Sequence, residues 1–155
     1  MILIAHRGNI RGAESERENN PAFVREALEK GYDAEIDVWY KEGKWQLGHD
    51  RGEYEIELEF LKQKGLWCHA KNLEAFYEML KHEVHCFWHE ADAYVLTSQG
   101  YIWTYPGGEL TEKSIMLMPE WPENKGISYK KAAGICSDYI YKSKDSELVE
   151  SSAKS

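Results

Sequence analysis

Histidines, carboxylates and basic side chains gather where predicted strands of this chain end. The apolar run Met1–Ala5 leads directly into His6-Arg7, and a second strand contains Glu35 and Asp37. In folds built on parallel strands, functional groups collect at the carboxyl ends of the strands. We therefore expect one site assembled from residues far apart in the sequence: His6, Arg7, Glu35, Asp37, His49, Asp50, His69, Lys71, His89 and Glu90.

The spacing of Glu35 and Asp37 indicates a metal site. Residues two apart on a strand point to the same side of the sheet. If that side is the interior, mutual repulsion raises the pKa of one carboxyl unless a cation lies between them, and a divalent ion with oxygen ligands removes this problem. The alternative is an edge strand whose acids face water. We favour the metal site.

The first half of the chain alternates predicted strands with predicted helices. Asn20 and Pro21 are typical of a helix start and Gly31 of a helix end, Asn72 of a second start, and a short helix is predicted over Glu55–Lys64. Strands that alternate with helices predict a parallel sheet. The predicted strands of this half are Ile2–Ala5, Ala34–Trp39, Leu66–Ala70 and Cys86–Trp88, with a hairpin turning near Glu42-Gly43.

The second half contains four strand-like runs, "AYVLT", "YIWTY", "SIMLM" and "AGICS", joined by short connectors. About eight strands in this order predict an α/β fold, a TIM-type (β/α) barrel. A full barrel takes about 250 residues, so we expect a trimmed one, with helices mainly in the first half and shortened connections in the second. We expect a single domain over 1–141 and a polar C-terminal tail over 142–155. The connector 98–100 is too short for a parallel crossover, so the runs beside it should form a hairpin or an irregular excursion.

Composition excludes several classes of function. The chain has 27 acidic and 19 basic residues, a net charge of −8, which disfavours nucleic acid as a partner. Its apolar runs are shorter than the roughly 20 residues of a membrane span, and Met1–Ala5 lacks the basic start of a signal peptide. Cys68, Cys86 and Cys136 each lie in an apolar segment and are expected to be buried, reduced thiols. A cytoplasmic location is therefore expected.

Four short motifs resemble one enzyme family. His6-Arg7-Gly8, Glu18-Asn19, Glu35-Ile36-Asp37 and His49-Asp50 occur in the order and at spacings similar to those of the glycerophosphodiester phosphodiesterase family, within the PLC-like phosphodiesterase superfamily. The resemblance covers about the first third of the chain. HRG alone is a weak signal, but the four pieces together are strong.

The resemblance implies a phosphodiesterase that uses a divalent metal, Mg²⁺ or Ca²⁺ first of all. It implies that Glu35 and Asp37 are metal ligands, that His6 and His49 are the acid–base pair, and that Arg7 holds phosphate. Elementary chemistry agrees with these roles. Phosphodiester cleavage needs charge neutralised on the non-bridging oxygens, a base for the nucleophile and an acid for the leaving alkoxide.

The third strand departs from the family pattern. Where the family has Glu-x-Lys, and the related phospholipase D toxins have Asp-x-Lys, this chain has His69-Ala70-Lys71. Lys71 matches as a phosphate contact. His69 as third metal ligand would shift the preference toward Mn²⁺ or Zn²⁺. Otherwise the third ligand comes from Glu90 or Glu120, and His69 is a hydrogen-bonded rim residue.

The late strands match more loosely. Trp103, in "YIWTY", is either a wall of the substrate pocket or a core residue, and Asp138 is interpreted as a turn or capping residue. Tyr94, Tyr101, Tyr105 and Trp88 are interpreted as barrel or core aromatics. Missing outer helices would expose strand faces that a homodimer could cover.

These interpretations predict a divalent-metal-dependent phosphodiesterase that cleaves a small glycerophosphodiester-like substrate by His/His acid–base catalysis. The attacking group is either water or a neighbouring hydroxyl of the substrate, which would give a cyclic phosphate. The rival hypothesis is a non-catalytic barrel that keeps the rim residues and binds a phosphate ester or a protein.

Overall fold

A computed structural model describes residues 1–144, and its main feature is a sheet of ten strands. Its α-helices include α1 (Pro21–Glu29), α2 (Leu58–Leu61) and α3 (Leu73–Lys81), and Pro122–Asn124 forms a 3₁₀ turn. The strands are β1 (Ile2–His6), β2 (Asp33–Lys41), β3 (Lys44–Leu47), β4 (Tyr54–Ile56), β5 (Leu66–Ala70), β6 (Cys86–Phe87), β7 (Tyr94–Leu96), β8 (Ile102–Thr104), β9 (Ser114–Leu117) and β10 (Gly134–Ser137).

Seven of these strands run parallel, in the spatial order β6-β5-β2-β1-β10-β9-β8. Three further strands are antiparallel additions. The long β2 continues past its pairing with β5 into a hairpin with β3, which pairs in turn with β4. At the other end, β7 folds back on β8. The sheet is therefore mixed, with its parallel centre around β1 and β2.

The prediction of a TIM-type barrel is wrong. The sheet curls into a half-barrel with four short helical segments, and helices do not alternate with its strands throughout. β6 and β7 are not paired as strands; instead, Ser98 N donates to the carbonyl oxygen of Cys86, and Cys86 N donates to Oγ of Ser98. The sequence explains the missing helices. The connection after β8 contains Pro106, Gly107 and Gly108, and the connection after β9 contains Pro119, Pro122 and Gly126, residues that oppose helix formation.

The local predictions at helix starts are confirmed. The side chain of Asn20 accepts a hydrogen bond from Ala22 N at the start of α1, and Asn72 accepts one from Ala75 N at the start of α3. Gly31, just past α1, has φ +91°, a conformation that glycine adopts without a side-chain penalty. The helix predicted over Glu55–Lys64 is shorter and covers Leu58–Leu61.

The hairpin predicted near Glu42-Gly43 is present, and the connector 98–100 forms a hairpin, one of the two alternatives predicted for it. Glu42 and Gly43, between β2 and β3, have φ +51° and +75°, as a two-residue type I′ turn requires. The runs around Ser98-Gln99-Gly100 pair antiparallel as β7 and β8. The short connector thus decided the local topology, because a parallel crossover would need many more residues.

Alternation along the strands separates the core from the site. On β2, Ala34, Ile36 and Val38 are fully buried in the cluster that also takes in residues of α1 and α3. Glu35 and Asp37 therefore point to the opposite, inner face of the curled sheet. The inner face has its own apolar cluster, which includes Ile4, Trp67, Phe87, Trp103, Ile115, Leu117 and Cys136.

Other expectations concern the thiols, the tail and membranes. The three cysteines are free and buried, as predicted. The predicted polar tail lies outside the described residues from 145 onward; just before that point, Lys144 donates a hydrogen bond from Nζ to the carbonyl oxygen of Lys30. Within residues 1–144, no helix has both the length and the apolar character needed to cross a membrane.

Candidate metal and phosphodiester site

Strand register brings the predicted ligands together. His6 on β1 is the lateral neighbour of Glu35 on β2, and Asp37 is the lateral neighbour of His69 on β5. These side chains open into a cleft of about 730 Å³. The cleft is lined by His6, Arg7, Ala13, Glu18, Glu35, Asp37, His49, His69, Lys71, Phe87, His89, Glu90, Trp103, Tyr105, Pro106, Leu117, Met118, Trp121 and Asp138.

Glu35, Asp37 and His69 form a cluster able to hold a metal ion. One ligand atom from each residue lies within 4.8 Å of the other two. Glu35 is 3% exposed and Asp37 is 1% exposed. Oε2 of Glu35 is buried and has no hydrogen-bond partner among the described residues. A buried carboxylate oxygen without a partner is costly, and a cation is a partner that would satisfy it.

The two carboxyls have opposite pKa shifts. Burial and the charge of Asp37 raise the pKa of Glu35. Burial also opposes ionisation of Asp37, but the hydrogen bond and charge of His69, together with Arg7, hold the Asp37 pKa below its usual range. The shifts separate because Asp37 accepts hydrogen bonds from His69 and Asn19, whereas Oε2 of Glu35 accepts none from the described residues.

Asn19 fixes the position of Asp37. Its Nδ2 donates to Asp37 Oδ2 at 2.9 Å, and its Oδ1 accepts from the backbone N of Asp37 at 2.9 Å. Neighbouring Glu18 accepts from Asn9 Nδ2 at 2.6 Å and pairs with Arg7 at 3.4 Å. The Glu18-Asn19 motif thus positions other site residues, with Asn19 almost fully buried.

His6 is oriented by a residue that we interpreted as a turn or cap. Nδ1 of His6 donates to Asp138 Oδ1 at 2.7 Å, and Asn9 donates to the same oxygen at 2.9 Å. Nε2 of His6 then points toward Glu35 Oε2, 3.5 Å away. Burial opposes the charged imidazole, but the Asp138 hydrogen bond and the charge of Glu35 outweigh it and raise the His6 pKa. The position of Asp138 directly after β10 was the signal available in the sequence.

His49 lies on the loop after β3, and its side chain is 46% exposed. Its Nδ1 is 2.9 Å from Asp50 Oδ1. The preceding Gly48 has φ +155°, and a Cβ there would collide with the carbonyl oxygen of Arg51, so the turn requires glycine. Gly48 also bonds to β2: its N donates to Asp37 O at 3.1 Å, and its O accepts from Trp39 Nε1 at 2.7 Å. His49 is thereby tied to the strand that carries Glu35 and Asp37.

The two residues expected to contact phosphate differ in their present partners. Arg7 Nε lies 3.4 Å from Asp37 Oδ2, and its NH1 pairs with Glu18, so two carboxylates already engage the guanidinium. Lys71 lines the same cleft and forms no salt bridge within residues 1–144. Lys71 is therefore the more available cation for an anionic ligand.

The alternatives for the third ligand occupy other positions. Glu90 lines the cleft but is exposed, and it is outside the cluster of Glu35, Asp37 and His69. Glu120 accepts a hydrogen bond from Ser137 Oγ at 2.8 Å and does not line the cleft. His69 has its Nδ1 3.1 Å from Asp37 Oδ1 and its Nε2 3.0 Å from the carbonyl oxygen of His89.

One side of the cleft is apolar, and sequence reasoning missed most of it. We call Trp103, Tyr105, Leu117, Met118 and Trp121 the apolar wall; all five line the cleft. Trp103 is 3% exposed and stacks on Phe87 with ring centroids 4.6 Å apart, so it belongs both to the core and to the floor of the cleft. Tyr105 is 44% exposed and was interpreted as a core aromatic. Tyr105 directly follows β8 and Met118 directly follows β9, so the strand-end rule could have found them.

Comparisons of the chain with protein families, with curated proteins and with solved structures found no match. The resemblance to the glycerophosphodiester phosphodiesterases therefore rests on the four motifs alone.

Proposed function

We propose that this chain is a divalent-metal-dependent phosphodiesterase that cleaves a small glycerophosphodiester-like substrate, with His6 and His49 as the acid–base pair. The observation that carries the proposal is the cleft itself. Two histidines, a buried carboxylate pair and an unpaired lysine line it, although they come from four separate segments of the chain. The same residues carry the resemblance to the phosphodiesterase family.

Glu35, Asp37 and His69 would hold the metal. The unpartnered Oε2 of Glu35 and the raised pKa of that carboxyl fit a site that is incomplete without a cation. A bound divalent ion would neutralise charge on the non-bridging phosphate oxygens and orient the phosphate group. Lys71 would add a second positive charge beside the phosphate, because no carboxylate of the described residues pairs with it.

The two histidines would move the protons. One takes a proton from the attacking water or substrate hydroxyl, and the other gives a proton to the leaving alkoxide. Water as nucleophile gives a phosphomonoester and an alcohol; an adjacent substrate hydroxyl gives a cyclic phosphate and the same alcohol. Asp138 supports this role for His6, since its hydrogen bond to Nδ1 leaves Nε2 to exchange the proton.

The test is product release from a panel of phosphodiesters: glycerophosphocholine, glycerophosphoethanolamine and bis-p-nitrophenyl phosphate. Reactions contain EDTA, Mg²⁺, Ca²⁺, Mn²⁺ or Zn²⁺, and ³¹P NMR identifies a monoester or a cyclic product. The control for His6→Ala and His49→Ala is His82→Ala, a histidine at the end of α3 that does not line the cleft.

We expect metal-dependent turnover that falls about 10²–10⁴-fold in His6→Ala and His49→Ala and is unchanged in His82→Ala. Equal turnover in His6→Ala and His82→Ala would show that His6 does not act as an acid or base in the reaction. Tight binding of a phosphodiester with no turnover under any condition would favour the rival, a phosphate-ester-binding protein.

The setting of this activity is also a proposal. Three free, buried thiols suit a reducing compartment, and we propose a cytoplasmic location. We also propose a homodimer in which a second copy covers Leu73, Tyr77 and Leu80, the exposed apolar residues of α3. Sedimentation velocity on the wild type and on Tyr77→Glu tests the dimer, since the added charge should shift the protein to monomer.

A further inference from the structure

We infer that the proposed metal centre selects a borderline transition-metal ion, such as Mn²⁺ or Zn²⁺, over Mg²⁺ and Ca²⁺, with Nδ1 of His69 as a direct ligand. The inference rests on the proposed metal site and adds the class of ion that it takes. It departs from the preference that the family resemblance implies, and it depends on the one ligand position where this chain differs from the family pattern.

The hydrogen bonds of His69 decide which ring nitrogen faces the metal. The carbonyl oxygen of His89 can only accept a hydrogen bond, so Nε2 of His69, 3.0 Å away, carries the hydrogen. Nδ1 faces Asp37 Oδ1 at 3.1 Å; without a metal ion the proton on Nδ1 lies between the two atoms, and a bound ion would take the place of that proton and be ligated by the Nδ1 lone pair. A metal-ligating histidine is typically held in this way, with its second nitrogen donating to a backbone carbonyl or a carboxylate.

The distance between the two facing atoms also fits ligation. A lone pair that faces a carboxylate oxygen is repelled unless a proton or a cation lies between them. Two ligand atoms about 2.1 Å from one ion are about 3.0 Å apart at right angles and about 3.4 Å apart at the tetrahedral angle. The separation of Nδ1 and Oδ1 is 3.1 Å, and the unpartnered Oε2 of Glu35 completes the same cluster.

The donor set then determines the class of ion. Ca²⁺ takes six to eight oxygen ligands, and Mg²⁺ binds through carboxylates and water. Replacing a third carboxylate by imidazole lowers the negative charge of the site and supplies a softer donor, which suits Mn²⁺ and Zn²⁺ better. Asn19 and Arg7 occupy the other oxygen of Asp37, so this carboxylate has one oxygen left for the ion, whereas Ca²⁺ often takes both.

The experiment measures metal affinity and ligation on the chelator-treated full chain, without any substrate. Isothermal titration calorimetry gives Kd values for Mn²⁺, Zn²⁺, Mg²⁺ and Ca²⁺, and pulsed EPR of the Mn²⁺ complex reports coupling to a directly bound ¹⁴N nucleus. The variants are His69→Glu, which restores the family pattern, and His69→Gln, which removes the imidazole without adding a negative charge. His82→Ala is the control, and circular dichroism confirms that each variant folds.

We expect Mn²⁺ and Zn²⁺ to bind at least about 100-fold more tightly than Mg²⁺ and Ca²⁺, with a ¹⁴N coupling in the Mn²⁺ complex. His69→Glu should reduce or reverse the preference for Mn²⁺ and Zn²⁺ over Mg²⁺ and Ca²⁺, and it should abolish the ¹⁴N coupling. His69→Gln should weaken Mn²⁺ binding. His82→Ala should change neither the affinities nor the coupling. Preferential Mg²⁺ or Ca²⁺ binding, or a Mn²⁺ complex without ¹⁴N coupling, would overturn the inference, while turnover with the preferred ion would leave the proposed function standing. Absence of binding by all four ions would overturn both.

Discussion

Replacing Glu35 by glutamine should stabilise the metal-free chain and destabilise it relative to wild type when metal is present. The carboxylate is 3% exposed, its Oε2 has no hydrogen-bond partner, and Asp37 lies on the same face of β2. Glutamine has nearly the same shape but no charge. The substitution removes the buried charge and its repulsion by Asp37, and also its attraction to His6, Arg7 and His69. The Glu35 pKa is raised, so burial and Asp37 outweigh that attraction, and the net effect should be stabilising.

The size of the effect follows from the missing partner. An unsatisfied buried polar group costs about 1–3 kcal/mol, and more when it is charged; glutamine keeps a buried polar group, so the variant gains only the additional cost of the charge, which we expect to be of the same order. For a chain of this length, each kcal/mol moves Tm by about 2–4 °C, so metal-free Glu35→Gln should melt roughly 2–12 °C above wild type. An ion at 1,000 times its Kd adds about 4.1 kcal/mol to wild type, which exceeds the gain expected for the variant and reverses the order if the variant no longer binds the ion.

The pH dependence gives a second readout. The Glu35 pKa is raised in the folded chain above its ordinary 4.5, so the folded state binds more protons and wild type loses stability as pH rises from 4.5 through the folded pKa. Near pH 4 the carboxyl is protonated in both states, and the two proteins should melt alike. The difference in Tm between Glu35→Gln and wild type should increase as pH rises above 4.5.

Differential scanning fluorimetry from pH 4 to 8, with EDTA and then with Mn²⁺, measures all of these effects. Glu55→Gln is the matched control, since Glu55 is an exposed residue of β4 in the same sheet. A metal-free Glu35→Gln protein less stable than wild type at pH 7 to 8 would refute the argument that Glu35 lacks a partner. Equal stabilisation of both proteins by metal would refute the assignment of Glu35 as a ligand.

Three further predictions use other contacts. Asp138→Asn should lower the His6 pKa and shift the pH–rate profile, because the variant loses the negative charge beside Nδ1 of His6. The pKa is measured by ¹H–¹⁵N NMR of the imidazole, and an unchanged His6 pKa would contradict the positioning role of Asp138. Lys71→Met should raise KM for a phosphodiester at least about tenfold, whereas Lys64→Met, outside the cleft, should not. Burial lowers the His85 pKa to about 4, so the free energy of unfolding should decrease as pH falls from 6.5 to 4. In urea titrations His85→Asn should reduce this decrease; the same pH dependence in variant and wild type would contradict the role of His85.

Local rules predicted the elements that carry the site. Asn20, Asn72 and the Glu42-Gly43 turn act through neighbours within a few residues, so their roles can be read from sequence. The inner position of Glu35 and Asp37 follows from alternation along β2 once Ile36 and Val38 are assigned to the helix-covered face. The cluster of these acids with His69 then needs only the pairing of β2 with β5.

Interactions between distant segments could not be read in this way. Asp138 bonds His6 across 132 positions, and its sequence neighbours fit a turn equally well. Closure of the sheet depends on whether β6 reaches the strands around β8, and apolar periodicity does not encode that pairing. The ion pairs of Arg7 with Glu18 and Asp37 likewise depend on the conformation of the loop before α1, which positions Glu18.

The two sides of the cleft come from different halves of the chain. Every residue assigned to metal, phosphate or proton transfer precedes position 72, whereas the apolar wall begins at Trp103. Two later residues contact these groups: Asp138 bonds His6, and the carbonyl oxygen of His89 bonds His69. The region from β8 to Trp121 could therefore diverge, or be exchanged by design, and alter which alcohol is accepted while the reacting groups keep their places. Under the proposed function, substitutions in one half of the chain would change the choice of ligand and substitutions in the other half the reaction itself.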